Sequence, residues 1–380
     1  QLFGYEQVAK ADCEYPLTKN RSIVRRRCIM KGKKILKGIG IVVLCIVLFV
    51  AAVLIFYTVR EYRPKSIEFP ETGTGTKTLS EGDSFSVLTY NTGYAALSKD
   101  EDFFMDGGSK VQPDSKDVVE TNLAGISDIL KSQNADFYFL QEVDIDAKRS
   151  FHINEREYYE NALDMNSIYA CNFKCDFVPY PIPPIGKVEA GLLTMTDYQV
   201  ESAKRIKLAE SFSWPIKTCN LKRCMLETRI PIEGTDKELV LINFHLEAYD
   251  SGEGKKMQSQ MLADKLQEEY QAGNYVIAGG DFNQTFEGVD KYEIHDTDSW
   301  VPGTVYKEDL PDGFDFAVAD NAPTCRLLNG PYSGNYEDSQ VYVIDGYIVS
   351  DNLQVDQVQV IDTDFEYTDH QPVSLRVTLQ

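Results

Sequence analysis

The chain has 380 residues and a formal net charge of −21, a length that allows two or three domains. Residues 1–65 hold 13 of the 38 Lys+Arg and 4 of the 59 Asp+Glu (+9), leaving 25 against 55 (−30) for residues 66–380. An acidic body of that kind disfavours tight, non-specific nucleic-acid binding unless divalent cations intervene, although a local cleft can differ from the net charge.

Met30 and the Lys-Gly-Lys-Lys after it read as a start, with residues 1–29 as upstream sequence or, alternatively, a basic cytoplasmic tail running to residue 38. Residues 39–59 are 21 consecutive uncharged residues rich in Val, Ile and Leu. At 1.5 Å per residue they span roughly 30 Å, one bilayer core. The run ends in Phe56-Tyr57-Thr58-Val59-Arg60, without a small-x-small cleavage site, so it reads as an uncleaved signal anchor. Lysines 31, 33, 34 and 37 precede it, and their bias places the N-terminus inside and the acidic body outside the cytoplasm. Residues 60–83 carry Pro70-Glu-Thr-Gly-Thr-Gly-Thr and read as a linker.

A domain is expected over residues 84–380. Its first strand runs from Phe85 into Asn91. Residues 98–117 are acidic and read as a surface loop, or a lid. Residues 118–133 have Val119, Leu123, Ile126 and Leu130 at helical spacing. A strand follows from Phe137 into Glu142, and this strand–helix–strand unit can bring Asn91 and Glu142 to one edge. Residues 144–154 form a loop with Arg149 and His152. Cys171 and Cys175 sit in a strand-like stretch, about 13 Å apart and too far for a disulfide. Cys219 and Cys224 can close a turn, and buried free thiols are the equal alternative. The proline-rich 179–185 is extended and excluded from a central strand. Residues 188–193, 224–232 and 239–246 read as strands, the last two adjacent. Residues 255–271 read as a helix with Met257, Met261, Leu262 and Leu266 filling core on one side.

The run Tyr275-Val276-Ile277-Ala278-Gly279-Gly280-Asp281-Phe282-Asn283 is a buried strand that ends in two polar side chains two residues apart, on the same side of an extended backbone. The pattern of apolar run and polar end recurs at Asn91, Glu142, His245 and Asp345, and Asp369-His370 stand just before a strand-like run from Val373 to Val377. Side chains so placed converge on one edge of a sheet core.

Leu88-Thr89-Tyr90-Asn91, Gln141-Glu142-Val143, Asn243-Phe244-His245-Leu246, Gly280-Asp281-Phe282-Asn283, Ile344-Asp345-Gly346-Tyr347 and Thr368-Asp369-His370-Gln371-Pro372 occur in that order. The ordered set, over residues 84–380, resembles the endonuclease/exonuclease/phosphatase superfamily. The resemblance implies a four-layer α/β sandwich, two packed mixed sheets flanked by helices, and metal-dependent hydrolysis of phosphate esters. It implies Glu142, Asn91 and Asp369 as metal ligands. It also implies His370 as base with Asp345 as its partner, and Asp281 and Asn283 orienting water and phosphate. His245 matches the second histidine of some branches, with Glu189 as its candidate acid. Arg149 reads as a phosphate contact or a solvated loop residue. The donors are oxygens, which suit Mg²⁺, Mn²⁺ or Ca²⁺. Thr92-Gly93-Tyr94 and the inserted Gly346 depart from many relatives and leave the substrate open. Nucleic acid, a phospholipid and a phosphorylated small molecule compete, on a monomer. An extracellular nuclease, a sphingomyelinase-like phosphodiesterase and an inactive binding module are the alternatives.

Overall fold

The computed structural model describes residues 17–250 and 252–380 and divides into two units, 1–59 and 60–380. The reading of residues 1–29 as upstream sequence or tail falls largely outside the described residues. The first unit is built on α1 (Leu17–Arg60), longer at its N-terminal end than the expected span. Among the described residues, Arg25–Arg60 is the one helical stretch long and apolar enough to cross a membrane, with a mean hydropathy of 3.4 over an 18-residue window.

In the second unit β1 (Ile67–Glu68), β2 (Leu79–Ser80) and β3 (Ser84–Asn91) precede α2 (Lys116–Gln133). Next come β4 (Phe137–Asp144), α3 (Glu155–Leu163), β5 (Ser167–Val178), β6 (Gly186–Thr196), β7 (Ser202–Lys207), β8 (Cys224–Glu233) and β9 (Glu238–His245). After α4 (Glu253–Gln271) come β10 (Tyr275–Asp281), β11 (Gln284–Phe286), β12 (Gly303–Val305), β13 (Phe314–Ala317), β14 (Cys325–Arg326), β15 (Val341–Tyr342), β16 (Asp345–Ser350), β17 (Leu353–Val360) and β18 (Val373–Leu379). One sheet runs β1-β7-β8-β9-β10-β16-β13, with β2 beside β8; the other runs β17-β18-β3-β4-β6-β5. Both are mixed. The β3–β4 and β9–β10 pairs are parallel, because α2 and α4 carry the chain back between them.

Phe85, Val87, Phe137 and Phe139 of one sheet pack on Leu239, Leu241, Ile277 and Tyr347 of the other. α2 and α3 cover the outer face of the six-stranded sheet, and α4 covers Val240, Ile242, Val276 and Ala278 of the eight-stranded one. The strands are therefore buried on both faces. That is why they read as continuous apolar runs rather than alternating ones. The expected four-layer sandwich is the fold observed.

Residues 60–83 are not a free linker. Lys222 Nζ lies 2.9 Å from Glu61 Oε1, with both side chains only 3% exposed. β1 pairs with β7, Lys77 bridges to Tyr198, and β2 pairs with β8. Composition shows glycine and threonine; it does not show that the backbone of this stretch is taken up in a sheet edge. Other differences are local. α3 lies just past the expected loop 144–154 and is opened by Asn154 accepting from the Glu157 amide. Met257 is exposed rather than core. Asp345 opens β16 instead of ending the run before it, since β16 is antiparallel to β10 and its first residue pairs with the last of β10. The described cysteines from Cys171 to Cys325 are free thiols.

Gly280 has φ +151, and a Cβ there would stand 1.9 Å from the Phe244 carbonyl oxygen of the neighbouring strand. Backbone cannot yield as a side chain can. Gly280→Ala is expected to destabilise the domain by roughly 3 kcal/mol, read as a lower midpoint in urea unfolding. An unchanged midpoint would contradict the packing at this crossing.

Candidate active site

The two sheets meet at one end in a set of buried polar side chains. Asn91 closes β3, His245 closes β9 and Asp281 closes β10. The parallel register sets Asp281 beside His245, and the antiparallel register sets it beside Asp345. His370 arrives just before β18, in a bridge with Cys325. Glu142 departs from the ladder. The β4–β6 register shifts between Leu140 and Val143, and Glu142 takes a left-handed φ of 58. A bulge of this kind re-aims one side chain at the end of a sheet.

His370 Nδ1 lies 2.9 Å from Asp345 Oδ2, and the Asp345 amide donates to Thr324 Oγ1 at 3.1 Å. Asn91 Nδ2 donates to Asp281 Oδ2 at 3.0 Å and lies 3.4 Å from His370 Nε2. A donor facing Nε2 leaves the ring proton on Nδ1, shared with Asp345. His370 Nε2 is 3.7 Å from Asp281 Oδ2 and 4.0 Å from Asp369 Oδ2. His245 Nε2 is 3.4 Å from the same Asp281 oxygen, and its Nδ1 is 3.9 Å from Glu142 Oε1. Asp281 Oδ1 accepts from the Asn283 amide at 2.8 Å, while Asn283 Nδ2 donates to the Leu246 carbonyl at 2.9 Å.

The charges in this cluster are imbalanced. Burial, then the charge of Asp369, pushes the Glu142 carboxyl up to about 8. Burial raises Asp369, against His370 and Arg326. Burial also pushes Asp345 up to about 6, with Asp281 adding to it and His370 opposing. For His370, burial works against the charged ring, but Asp345, Cys325 and Asp369 outweigh it and hold the imidazole well above its usual range. His245 goes the other way, well below, through burial and then Arg223 and His370. So the two histidines differ: one is held by carboxylates, the other is kept neutral.

Seven of the ten residues singled out in the sequence come together here: Asn91, Glu142, His245, Asp281, Asp345, Asp369 and His370. Asn283 adjoins them, although one of its amide hydrogens is used on Leu246. Two are engaged elsewhere. Glu189 is not beside His245: β6 sets Gly191 against Val143 and Ala190 against Asp144, so Glu189 lies past the end of β4, facing β5, where it pairs with Lys174 at 2.7 Å. Arg149 forks onto Asp144 at 2.9 and 3.0 Å and stacks on the Tyr94 ring, so its guanidinium is engaged with the end of β4 and is not a solvated loop charge.

The tightest clusters of metal-capable atoms among the described residues are Asp281/Asp345/His370 and Cys325/Asp369/His370, each within 4.8 Å. The expected ligand set is therefore shared out differently, with Asn91 turned to Asp281 and Glu142 in neither cluster. A divalent cation nevertheless fits the donors. Four carboxylates, buried at 281, 345 and 369 and partly exposed at 142, face two histidines, of which His245 is kept neutral, so the donor set carries more negative than positive charge.

Four supporting residues carried no signal in the sequence. Thr324 holds the Asp345 backbone. Arg326 donates to the Ser98 and Glu101 carbonyls at 2.8 and 3.0 Å. Arg223 donates to the His245 carbonyl at 3.2 Å. Lys255 Nζ reaches the Asn283 carbonyl at 3.3 Å, and burial pulls its ammonium down. Residues 98–117 are tied to the domain by Arg326 and by Tyr249, whose hydroxyl donates to the buried Asp106 at 2.8 Å.

No known family profile matches the sequence, and no curated protein does. Solved structures do. The chain is similar to the endonuclease/exonuclease/phosphatase from Beutenbergia cavernae, with a TM-score of 0.55 at 17% identity over 78% of this chain and 72% of that one. It is also similar to the endonuclease/exonuclease/phosphatase from Bacteroides vulgatus, at 0.51 and 16% over 78% and 100%. The family protein from Bacteroides thetaiotaomicron gives 0.50 and 14% over 79% and 99%. At such identities the likeness is one of architecture: the chain shares the fold of these endonuclease/exonuclease/phosphatase structures.

Proposed function

We propose that the chain is a divalent-cation-dependent phosphoesterase, anchored in a membrane by α1, with its catalytic unit outside the cytoplasm. The observation that carries this reading is the buried His370–Asp345 pair, whose Nε2 faces Asp281 among carboxylates that lack enough positive charge. An inactive binding module would have no need of that cluster, since unbalanced buried carboxylates cost stability.

Glu142 and Asp369 would hold the cation, most simply Mg²⁺, with Mn²⁺ or Ca²⁺ as alternatives. When bound it supplies positive charge to the phosphoryl oxygens and balances the carboxylates. In its neutral form His370 takes the proton of the attacking water at Nε2, while Asp345 fixes the ring through Nδ1. Asp281 and Asn91 position that water through the same oxygen and amide that now meet at His370. His245, kept neutral, donates to the substrate side of Asp281. The product is a phosphate ester shortened by one bond, or free phosphate, and an alcohol.

His370→Ala is expected to lower turnover of bis-p-nitrophenyl phosphate by roughly 10²–10⁴-fold with the fold intact by circular dichroism. Asp345→Asn should lose less, and the double variant little more than His370→Ala alone, because the pair acts as a unit. A double loss equal to the product of the single ones would move the base to Asp281. Glu142→Gln should cut the rate by orders of magnitude and weaken Mg²⁺ binding in calorimetry; unchanged binding and rate would remove its role. Protease added to intact cells should digest the domain, and survival until lysis would contradict the orientation.

A further inference from the structure

The catalytic edge, the attachment to α1 and an exposed apolar rim all lie at one end of the sheets. From Ala190, which meets Asp144 two residues past Glu142, the β5–β6 hairpin runs on to the Val178–Gly186 pair. That is four residues, about 13 Å beyond the site edge. Its tip holds Tyr180, 69% exposed, and Ile182, 93% exposed, with Phe177 half exposed behind them. Prolines 179, 181, 183 and 184 fix the backbone φ around these side chains, and Lys148 Nζ donates to the Pro184 carbonyl at 3.1 Å. The tip also meets the loop after Asn91, where the Phe104 and Tyr180 rings stand 5.7 Å apart. On the other sheet, β8 opens at Cys224 and sets Met225 opposite Phe244, one residue short of His245. The segment before β8, which carries the 61%-exposed Ile216, therefore leaves at the same end.

The chain enters there too. Lys207 donates to the Ser66 carbonyl next to the β1–β7 pair, so residues 60–66 continue past the end of β7. Arg60 pairs with Asp176, Glu61 with Lys222, and Tyr62 lies against Cys171. The uncharged run ends at Val59. Arg60, the first residue of the domain, follows that run directly in the chain.

We infer that the rim formed by Phe177, Tyr180, Ile182 and Ile216 rests on the bilayer that holds α1, and that the enzyme hydrolyses phosphate esters in the headgroups of lipids presented there. The inference rests on the phosphoesterase and anchor readings above. Rigid aliphatic and aromatic side chains at a tip match the interfacial zone of a bilayer, and a tether with no free linker keeps them in register with it. The step is hydrolytic. The water oxygen bonds to phosphorus, the ester P–O bond breaks, and the departing alcohol, lipid or headgroup, takes the proton. A soluble polyanion such as DNA would have to enter between an acidic domain and the membrane.

The test uses the full chain in phosphatidylcholine vesicles, zwitterionic because the domain is acidic. A photoreactive benzophenone amino acid replaces Ile182 or, as control, Val355, a half-exposed residue near the opposite end of the sheets. Lipid adducts at 182 well above those at 355 are expected; equal adducts would overturn the docking. The Ile182→Asp/Ile216→Asp variant should hydrolyse a vesicle-borne phospholipid roughly tenfold more slowly while matching the wild type on soluble bis-p-nitrophenyl phosphate. Equal loss on both esters, or no loss on the lipid, would overturn the substrate assignment. Adducts at 182 with no turnover of either ester would refute the phosphoesterase reading and leave the docking standing. Release of the chain by an alkaline carbonate wash would overturn the anchor and the inference with it.

Discussion

Deep between the two sheets, Gln141 Nε2 donates to Asn243 Oδ1 at 2.8 Å, and Asn243 Nδ2 donates to the Leu140 and Leu193 carbonyls at 3.3 and 3.1 Å. Both side chains have no solvent exposure. In an otherwise apolar interface these bonds are costly to leave unmade, so they hold the sheets in one relative position. Glu142 is the next residue after Gln141, and His245 follows Asn243 by two. The register of a buried amide pair thereby becomes the register of the site. Tyr347 adds a second tie, its hydroxyl donating to the Val87 and Val373 carbonyls at 3.0 and 2.7 Å. Asn91, Asp345 and His370 stand at the ends of the strands so joined.

Much of this was legible in the sequence because apolar runs buried on both faces end in polar residues, and the ends of adjacent strands must share an edge. Asn91, His245, Asp281 and His370 could be placed that way before any coordinate was known. Asp345 was singled out for the right edge but from the wrong end of a strand, since direction within a sheet is not written in a run of six residues. Glu189 failed for a related reason: a shift of register along β6 carries a side chain past the edge, and only the pairing shows it. The pairing of Arg149 with Asp144, the last residue of β4, was not legible, because the turn that brings them together over five residues leaves no periodicity. Thr324, Arg326, Arg223 and Lys255 come from segments placed by tertiary packing alone.

The stretch after α1 shows how much composition can mislead. Pro-Glu-Thr-Gly-Thr-Gly-Thr has the residues of a tether, yet backbone pairing and the buried Glu61–Lys222 pair stitch its surroundings to the domain. Such a buried pair adds little net stability, but breaking it would strand a charge, so it specifies where the chain attaches.

The central claim is that water, activated at His370, attacks phosphorus. Hydrolysis of bis-p-nitrophenyl phosphate in ¹⁸O-enriched water with Mg²⁺, followed by mass spectrometry of both products, tests it most directly. The account predicts one ¹⁸O in p-nitrophenyl phosphate and none in p-nitrophenol. Label in p-nitrophenol, or no turnover with Mg²⁺, Mn²⁺ or Ca²⁺, would contradict it.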